Sequence, residues 1–586
     1  MSIYTENINI LWGSLLVEEL ARNEITYFCL SPGSRSTPLT VAVARNESVQ
    51  HIICYDERAA AFHALGYARA TGKPAVLIST SGTAVANYLP AVIEASVDAI
   101  PMLVLSADRP PELRETGANQ TIRQPEIYGD YVRWHFDLPC PDTKIPPSMV
   151  LTTADQAVHR ARRSPAGPVH LNCMFREPLA PVSVKVPQEY LEPLEGWRNS
   201  QRPYTIYSKT ITLPEPESFR EIADVIRQAE RGLLVAAALR FREEREAVRH
   251  LARMLKWPVF PDILSGLRFD GSLKNAAHYF DQLLLSGKMM RRIRPDVILH
   301  IGGRLTSKRF LQFIGEQAGC DYLLAADQPF RQDPEHKVTM RIDSNIEKFC
   351  RQLESELAGS PLPEPESFVP EKSRRIAEII EKFVMKSDKL SEPAVTRIIS
   401  RDIPSDQALF LASSMPVREM DMYGDAGNSF IPVAANRGAS GIDGTISTAA
   451  GFAAGQRKPV TLLIGDLAFL HDLNSLSLLR TISFPVIIVL VNNRGGGIFS
   501  FLPISQFDDI FEKFFGTPHD FEPGRAADLF GLEYHLAGSL QDFREIYRRA
   551  VKEQKSAVIE IRTDRNENLM LHKELQAKIK EALESE

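Results

Sequence analysis

Short β-branched apolar runs alternate with helical patterns along the whole chain, and that alternation constrains the fold more than any other feature. It is the pattern of parallel sheets whose strands are joined by crossover helices. In the first third, strands are expected at ITYFCL (25–30), PAVLIST (74–80), PMLVLSAD (101–108) and GPVHLNC (167–173), with helical stretches such as 57–71 between them. A second set follows at 231–239, 257–263, 296–303 and 321–327, and a third at 407–414, 459–466, 485–493 and 556–564. Two Pro-rich stretches, at about 176–216 and at 359–373, read as linkers by composition. The expected fold class is α/β, with three doubly wound parallel-sheet domains over 1–185, 205–355 and 372–586. No short-period repeat and no low-complexity tract competes with that reading.

Composition removes several function classes. With 44% hydrophobic and 24% charged residues in a chain of 586, disorder and fibrous classes are excluded. A formal net charge of −6 argues against nucleic acid or a polybasic membrane surface, so any cationic site must be local. The six cysteines contain no C-x-x-C pair, so neither a disulfide framework nor a thiolate zinc site is suggested. No apolar run approaches the roughly 20 residues of a membrane span, and the start MSIYTENINILWGSLL has no basic region ahead of its apolar stretch. A cytoplasmic protein is expected.

The segment richest in chemistry starts at Gly465-Asp466, where one apolar strand ends, and reaches Asn492-Asn493, where the next ends. Asp466 and Asn493 are 27 positions apart. A strand–helix–strand unit occupies about 30 residues, so both side chains should reach the same carboxyl edge of one sheet, where open α/β sheets bind ligands. One carboxylate and one amide oxygen form a hard, low-charge ligand set. It suits Mg²⁺, which completes its octahedron with phosphate oxygens and water. The following Arg494-Gly495-Gly496-Gly497-Ile498-Phe499 would let backbone approach a diphosphate closely. The 13 histidines offer no H-x-x-x-H or H-E-x-x-H pattern, and His471 reads as structural.

This constellation resembles the thiamine-diphosphate (ThDP) enzymes, whose signature is Gly-Asp-Gly followed after 24 to 27 residues by Asn-Asn. The chain departs at the third position, Leu467, which leaves the metal-ligand position intact. The resemblance implies three sheet domains of the ThDP-enzyme type. It implies that Asp466, Asn493 and the Gly495 carbonyl hold Mg²⁺ (or Mn²⁺) against the diphosphate, and that Glu57, opening the helix after IICY (52–55), activates the cofactor's aminopyrimidine. Taken by itself, Glu57 reads first as a first-turn glutamate favoured by the helix dipole, and the downstream metal motif reverses that. Ile442, in SGIDG (440–444), lies where the family places an apolar wedge under the cofactor, and otherwise reads as core packing. The resemblance also implies a homodimer or homotetramer with active sites between subunits.

Further stretches narrow the match: SPGSRSTPL from Ser31, DRPPEL from Asp108, GANQTIRQ from Gly117, RLTSKR from Arg304, SSMPVR from Ser413 and NRGASGIDG from Asn436. As a set they resemble the branch of the family that serves menaquinone biosynthesis. That branch decarboxylates 2-oxoglutarate and adds the succinyl carbanion to isochorismate in a 1,4-fashion, giving 2-succinyl-5-enolpyruvyl-6-hydroxy-3-cyclohexene-1-carboxylate and CO₂. By carry-over, Ser34, Arg35, Arg109, Gln120, Lys308, Arg309, Ser414, Arg418 and Arg437 bind substrate. Arg418 and Arg437 are placed nearest the succinyl portion, and the other cations nearer isochorismate. Ile498, Phe499 and Leu502 form the apolar wall over the thiazolium. The residues agree on their own terms, since dicarboxylate substrates need guanidinium forks concentrated in an otherwise acidic protein. The rival within the family is an acetolactate-synthase-like 2-oxo acid carboligase or decarboxylase. Gly302-Gly303-Arg304 lacks the full G-x-G-x-x-G of a dinucleotide site.

Overall fold

The computed structural model describes residues 4–328, 330–362, 368–427 and 431–585. Part of the second Pro-rich stretch, 363–367, lies outside the described residues. The chain divides into two compact units. The first comprises Met1–Thr210 with Asn436–Arg457 and Asp472–Ser483, and the second Ile211–Ala435 with Lys458–His471 and Phe484–Glu586.

The first unit is built on strands β1 (Tyr27–Leu30), β2 (Gln50–Ile53), β3 (Ala75–Ser79), β4 (Met102–Asp108), β5 (Trp134–Leu138) and β6 (Pro168–Met174). They pair in parallel in the order β2-β1-β3-β4-β6-β5. Successive side chains leave a strand on opposite faces, and the sequence exploits both. Phe28, Leu30, Val76 and Ile78 join the core under helices Ile8–Arg22 and Ser148–Arg162, while Tyr27, Cys29, Ala75 and Leu77 join the core under helix Glu57–Thr71. This is why the central strands read as near-continuous apolar runs rather than alternating ones, with buried exceptions such as Ser106 and His170.

Helix Glu57–Thr71 also packs against helix Thr445–Gln456, and the two backbones come unusually close. A Cβ on Gly66 would lie 2.0 Å from the Thr448 carbonyl oxygen, and one on Gly451 would lie 1.9 Å from that of His63. Only glycine fits at these two crossings.

The second unit holds two sheets. Strands β7 (Gly232–Ala236), β8 (Val259–Pro261), β9 (Val297–Ile301), β10 (Asp321–Ala326) and β11 (Met340–Asp343) run in the order β11-β10-β9-β7-β8. Strands β12 (Ala408–Leu411), β13 (Val433–Ala435), β14 (Val460–Gly465), β15 (Val486–Asn492), β16 (Glu533–Ala537) and β17 (Ala557–Arg562) run in the order β13-β12-β14-β15-β17-β16. One apolar cluster draws on both sheets, including Val235, Phe260, Leu409 and Val489. Arg268, wholly buried, ties them by donating to the carbonyls of Asp421 (3.0 Å) and Gly424 (3.0 Å), and Asp421 Oδ1 accepts from the Ile263 N–H at 3.0 Å. Among the described residues, no helix is long and apolar enough to cross a membrane.

The first Pro-rich stretch is not a free linker. It folds back onto the first unit, because it carries the apolar and polar groups needed to dock. Leu194 and Trp197 are buried there, Tyr190 accepts from Trp12 Nε1 (2.9 Å), and Trp197 Nε1 donates to Glu19 (2.5 Å). Asn7 and Asn9 donate to four of its carbonyls, those of Ala180, Val182, Arg176 and Pro178. The prolines of the stretch lack an N–H that would need a partner, which suits a strap held through its carbonyls.

Replacing Gly451 with alanine should lower unfolding stability by about 1–3 kcal/mol, the usual cost of overpacking. Urea denaturation checks it, and an unchanged midpoint would mean that the two helices are not in this contact.

Candidate functional site

In the second unit, β14 and β15 are adjacent and parallel with Gly465 opposite Val491, so Asp466 and Asn493 emerge at the same carboxyl edge. Asp466 is buried, at 3% exposure. Its Oδ2 accepts from the Gly495 N–H at 3.0 Å, and its Oδ1 from the Leu467 N–H at 2.7 Å. Burial pushes this carboxyl upward, against the Gly495 N–H and the nearby His519 ring, which act in the opposite direction. Asn493 donates its Nδ2–H to Glu392 Oε1 at 3.2 Å, and its Oδ1 is buried without a hydrogen-bond partner. Gly495 has φ 148° and is pressed against the Gly516 carbonyl, where a Cβ would lie 2.0 Å from the oxygen. A desolvated carboxylate, an orphaned amide oxygen and a glycine turn therefore meet at one point.

Helix Met415–Tyr423 in the same unit begins after Ser414, which has φ 74°, and Arg418 Nη1 donates to the Ser414 carbonyl at 2.5 Å. Arg309 pairs with Asp281, donates to Gln576 Oε1 at 3.1 Å and touches Met422 one turn beyond Arg418. Lys308 opens helix Lys308–Glu316 and is exposed. Ile498 and Phe499 are half-buried in the short helical turn Gly497–Phe501, and Leu502 follows with 43% exposure.

In the first unit, Glu57 is the first residue of its helix and half-buried, beside Asp56, which caps the helix through the Arg58 and Ala59 N–H groups. The Tyr88 hydroxyl is buried with the Oγ atoms of Ser31 and Ser79 close by, and Ser81 Oγ is buried as well. Tyr88 titrates above its ordinary value, through burial first and also through the Glu57 charge. Arg35 is buried and donates to the Phe175 carbonyl at 2.9 Å, with Glu177 at 3.5 Å. Burial lowers its pKa and the Arg109 charge lowers it further, so the two guanidinium groups are neighbours. Both leave the Nε–H buried and without an acceptor. Ser34 is exposed beside Arg35, and Gln120, exposed at φ 52°, lies against Gly82. Arg437 is half-buried and Ile442 is 38% exposed, both in the loop between β13 and helix Thr445–Gln456. Arg418 and Arg437 thus belong to different units.

Comparison with known proteins decides what this arrangement belongs to. The family "Thiamine pyrophosphate enzyme, N-terminal TPP binding domain" matches residues 12–127, "Middle domain of thiamine pyrophosphate" matches 188–411, and "Thiamine pyrophosphate enzyme, C-terminal TPP binding domain" matches 422–561. A protein of Rubrobacter xylanophilus named 2-succinyl-5-enolpyruvyl-6-hydroxy-3-cyclohexene-1-carboxylate synthase is 49% identical over 97% of this chain and 98% of its own. Proteins of the same name from Prosthecochloris aestuarii (48% identical, 97% of each chain) and Salinibacter ruber (45%, 99% of this chain and 98% of that one) match equally completely. The chain belongs to this synthase family of thiamine pyrophosphate enzymes.

The synthase chain fits its cofactor. Two of the three matched domains are TPP-binding domains. The orphaned Asn493 Oδ1 beside Asp466 is what a divalent ion on a diphosphate needs from the protein. Among the described residues, no group of three or more His, Cys, Asp or Glu could form a metal cage.

Sequence reasoning missed several supporting groups. His519 places Nε2 3.2 Å from Asp466 Oδ2. Glu392 holds the Asn493 amide and also accepts from Thr563 Oγ1 at 3.0 Å; burial and the Glu419 charge push it up to about 8. Asp472 accepts from the Ile446 (2.7 Å) and Ser447 (3.0 Å) N–H groups. None of these had a spacing signal, although Asp472 stands only six residues after Asp466 in GDLAFLHD (465–472).

Asp466→Ala should cost on the order of 10–100-fold or more in the Mg²⁺-dependent part of ThDP affinity. Isothermal titration with and without Mg²⁺ measures it. Retained metal dependence at full affinity would place the ion elsewhere.

Proposed function

We propose that the chain decarboxylates 2-oxoglutarate with ThDP and adds the resulting succinyl unit to isochorismate, releasing 2-succinyl-5-enolpyruvyl-6-hydroxy-3-cyclohexene-1-carboxylate and CO₂ in menaquinone biosynthesis. The observation that carries the cofactor chemistry is the meeting of buried Asp466, the partnerless Asn493 oxygen and Gly495 at the β14–β15 edge. The choice of substrates is supported by near-full-length identity to proteins bearing the synthase name.

When bound, ThDP supplies the centre that accepts the 2-oxo acid and stabilises negative charge where CO₂ departs. The remaining roles fall to the chain. Asp466 and Asn493, with the Gly495 carbonyl, would hold Mg²⁺ or Mn²⁺. Glu57, the first residue of the helix after β2, would accept and return the aminopyrimidine proton when the cofactor is bound. Ile442, Ile498, Phe499 and Leu502 present apolar surface to the cofactor and keep water from it. Arg418, with Ser414, and Arg437 receive the carboxylates of 2-oxoglutarate. Ser34, Arg35, Arg109, Gln120, Lys308 and Arg309 receive isochorismate. The buried, acceptor-less Nε–H groups of Arg35 and Arg109 support an anionic partner. We read the active form as a homodimer or homotetramer, and the six unpaired cysteines suit the reducing cytoplasm.

Two outcomes are expected. Arg418→Ala and Arg437→Ala each remove a charge-assisted bond of about 1.5–3 kcal/mol, so kcat/KM for 2-oxoglutarate should fall roughly 10- to 150-fold, with Arg→Lys recovering only part. Pyruvate should be a poor donor for the wild type. Donor kinetics at saturating isochorismate measure both, and a wild type that uses pyruvate as readily would favour the acetolactate-synthase-like reading. Glu57→Gln should keep the fold and bind ThDP while slowing hydrogen exchange at the cofactor's C2, followed by NMR. Exchange at the wild-type rate would remove Glu57 from its role.

A further inference from the structure

The loop 436–444 carries both Arg437 and Ile442 yet has no strand or helix of its own. Ser440 and Gly444 both sit at φ 62°, and Gly444, at the N-cap of helix Thr445–Gln456, has no side chain to cap it. A segment of this kind needs an external partner to hold one conformation.

That partner is Glu94, on helix Leu89–Val97 of the same unit. Its side chain is buried, at 2% exposure. Its carboxylate accepts three consecutive backbone N–H groups, from Gly438 (2.8 Å), Ala439 (2.6 Å) and Ser440 (3.3 Å). Three successive amides turned toward one anion form a nest of the type that usually takes a phosphate or an iron–sulfur group. Here the anion is supplied by the chain, 344 residues away in sequence. Arg69 approaches Glu94 Oε1 at 3.3 Å and also pairs with Asp98, which balances the charge and fixes the side chain. At the far end of the segment Asp472 accepts from the first turn of the helix, standing in for the cap that Gly444 lacks. Between these two carboxylates the loop has little freedom left.

We propose that Glu94 is a positioning residue for the reaction: by holding the peptide groups between Arg437 and Ile442, it sets where that guanidinium and that apolar wedge stand. The inference rests on the roles given above to Arg437 and Ile442. A glutamine at 94 offers one good acceptor oxygen and turns an NH₂ toward N–H groups it cannot satisfy. An aspartate keeps the anion and both oxygens but sets them one methylene further back. The loop should therefore loosen strongly in E94Q and less in E94D.

The test combines hydrogen–deuterium exchange of the ThDP- and Mg²⁺-loaded enzyme with steady-state kinetics in wild type, E94Q and E94D. Peptides spanning 436–444 should exchange faster in E94Q while those of helix Glu57–Thr71 stay protected. The kcat/KM for 2-oxoglutarate should fall roughly 10- to 100-fold with the KM for isochorismate unchanged, E94D lying between. Should E94Q fail to fold, E94D carries the same comparison. Unchanged exchange in the loop overturns the assignment of Glu94 whatever the substrate, and faster exchange with unaltered kinetics overturns its part in the reaction. Failure of the functional reading shows separately, as a wild type that does not turn over 2-oxoglutarate.

Discussion

Parallel hydrogen-bonded pairing is the constraint on which the site depends. In a parallel ladder every strand ends on the same side of its sheet, so whatever follows each strand is delivered to a common edge. In the third sheet this places Asp466 after β14 beside Asn493 after β15. In the first sheet it brings together the segments after β1, β3 and β4, which carry Arg35, Thr80 to Gly82, and Arg109. Arg35 N–H donates to Thr80 Oγ1 at 3.3 Å, and its guanidinium feels that of Arg109, so the convergence extends to side chains. Chain distance is irrelevant once the strands are paired. Both faces of the strands must then be covered, which accounts for apolar runs instead of alternation.

Loops at such an edge carry backbone N–H groups that no ladder satisfies, and this chain meets them with buried carboxylates. Asp466 accepts from Gly495, Glu94 from Gly438 to Ser440, and Asp472 from Ile446 and Ser447. A neutral amide or hydroxyl oxygen accepts at most two such bonds, whereas the two oxygens of an ionised carboxylate accept more, each strengthened by charge. The opposing effect is desolvation, which raises all three groups, Asp472 to about 6. In each case the acceptor is also held by a further group: the His519 ring near Asp466, Arg69 on Glu94 and Ser475 on Asp472. Rigid placement of a loop is thus obtained by burying charge where several donors converge.

The same physics decides what could be read from sequence. Each of the twelve expected apolar runs coincides with a strand, because continuous burial on two faces writes itself into composition, and β2 shows in the sequence only as IICY (52–55). Strands β5, β11, β13 and β16 carried no such signal, and all four are sheet edges. β5, β11 and β16 are partly exposed and mix polar with apolar residues, and β13 is only three residues long. The Pro-rich stretch before the second sheet reads as a linker because its docking depends on a few anchors, Tyr190, Leu194 and Trp197, rather than on periodicity. Asp466, Asn493 and Gly495 were legible because one crossover unit fixes their spacing. Glu94, Glu392 and His519 act across folds of the chain, where spacing says nothing.

Arg35 and Arg109 form a local concentration of positive charge in the first unit. A guanidinium stays charged even when burial and a like-charged neighbour lower its pKa, as they do for Arg35. The acidic groups near the pair are limited. Glu177 is exposed and 3.5 Å from Arg35, while Asp108 is engaged by the Arg109 N–H, by Arg114 at 3.1 Å and by Asn172 at 2.9 Å. Two buried Nε–H donors remain without acceptors, Arg35 in the segment after β1 and Arg109 in that after β4. Like charges held together are unfavourable, and the Glu177 and Asp108 charges offset this for Arg35. In a chain of net charge −6, this local concentration of positive charge is set by the fold and not by bulk electrostatics.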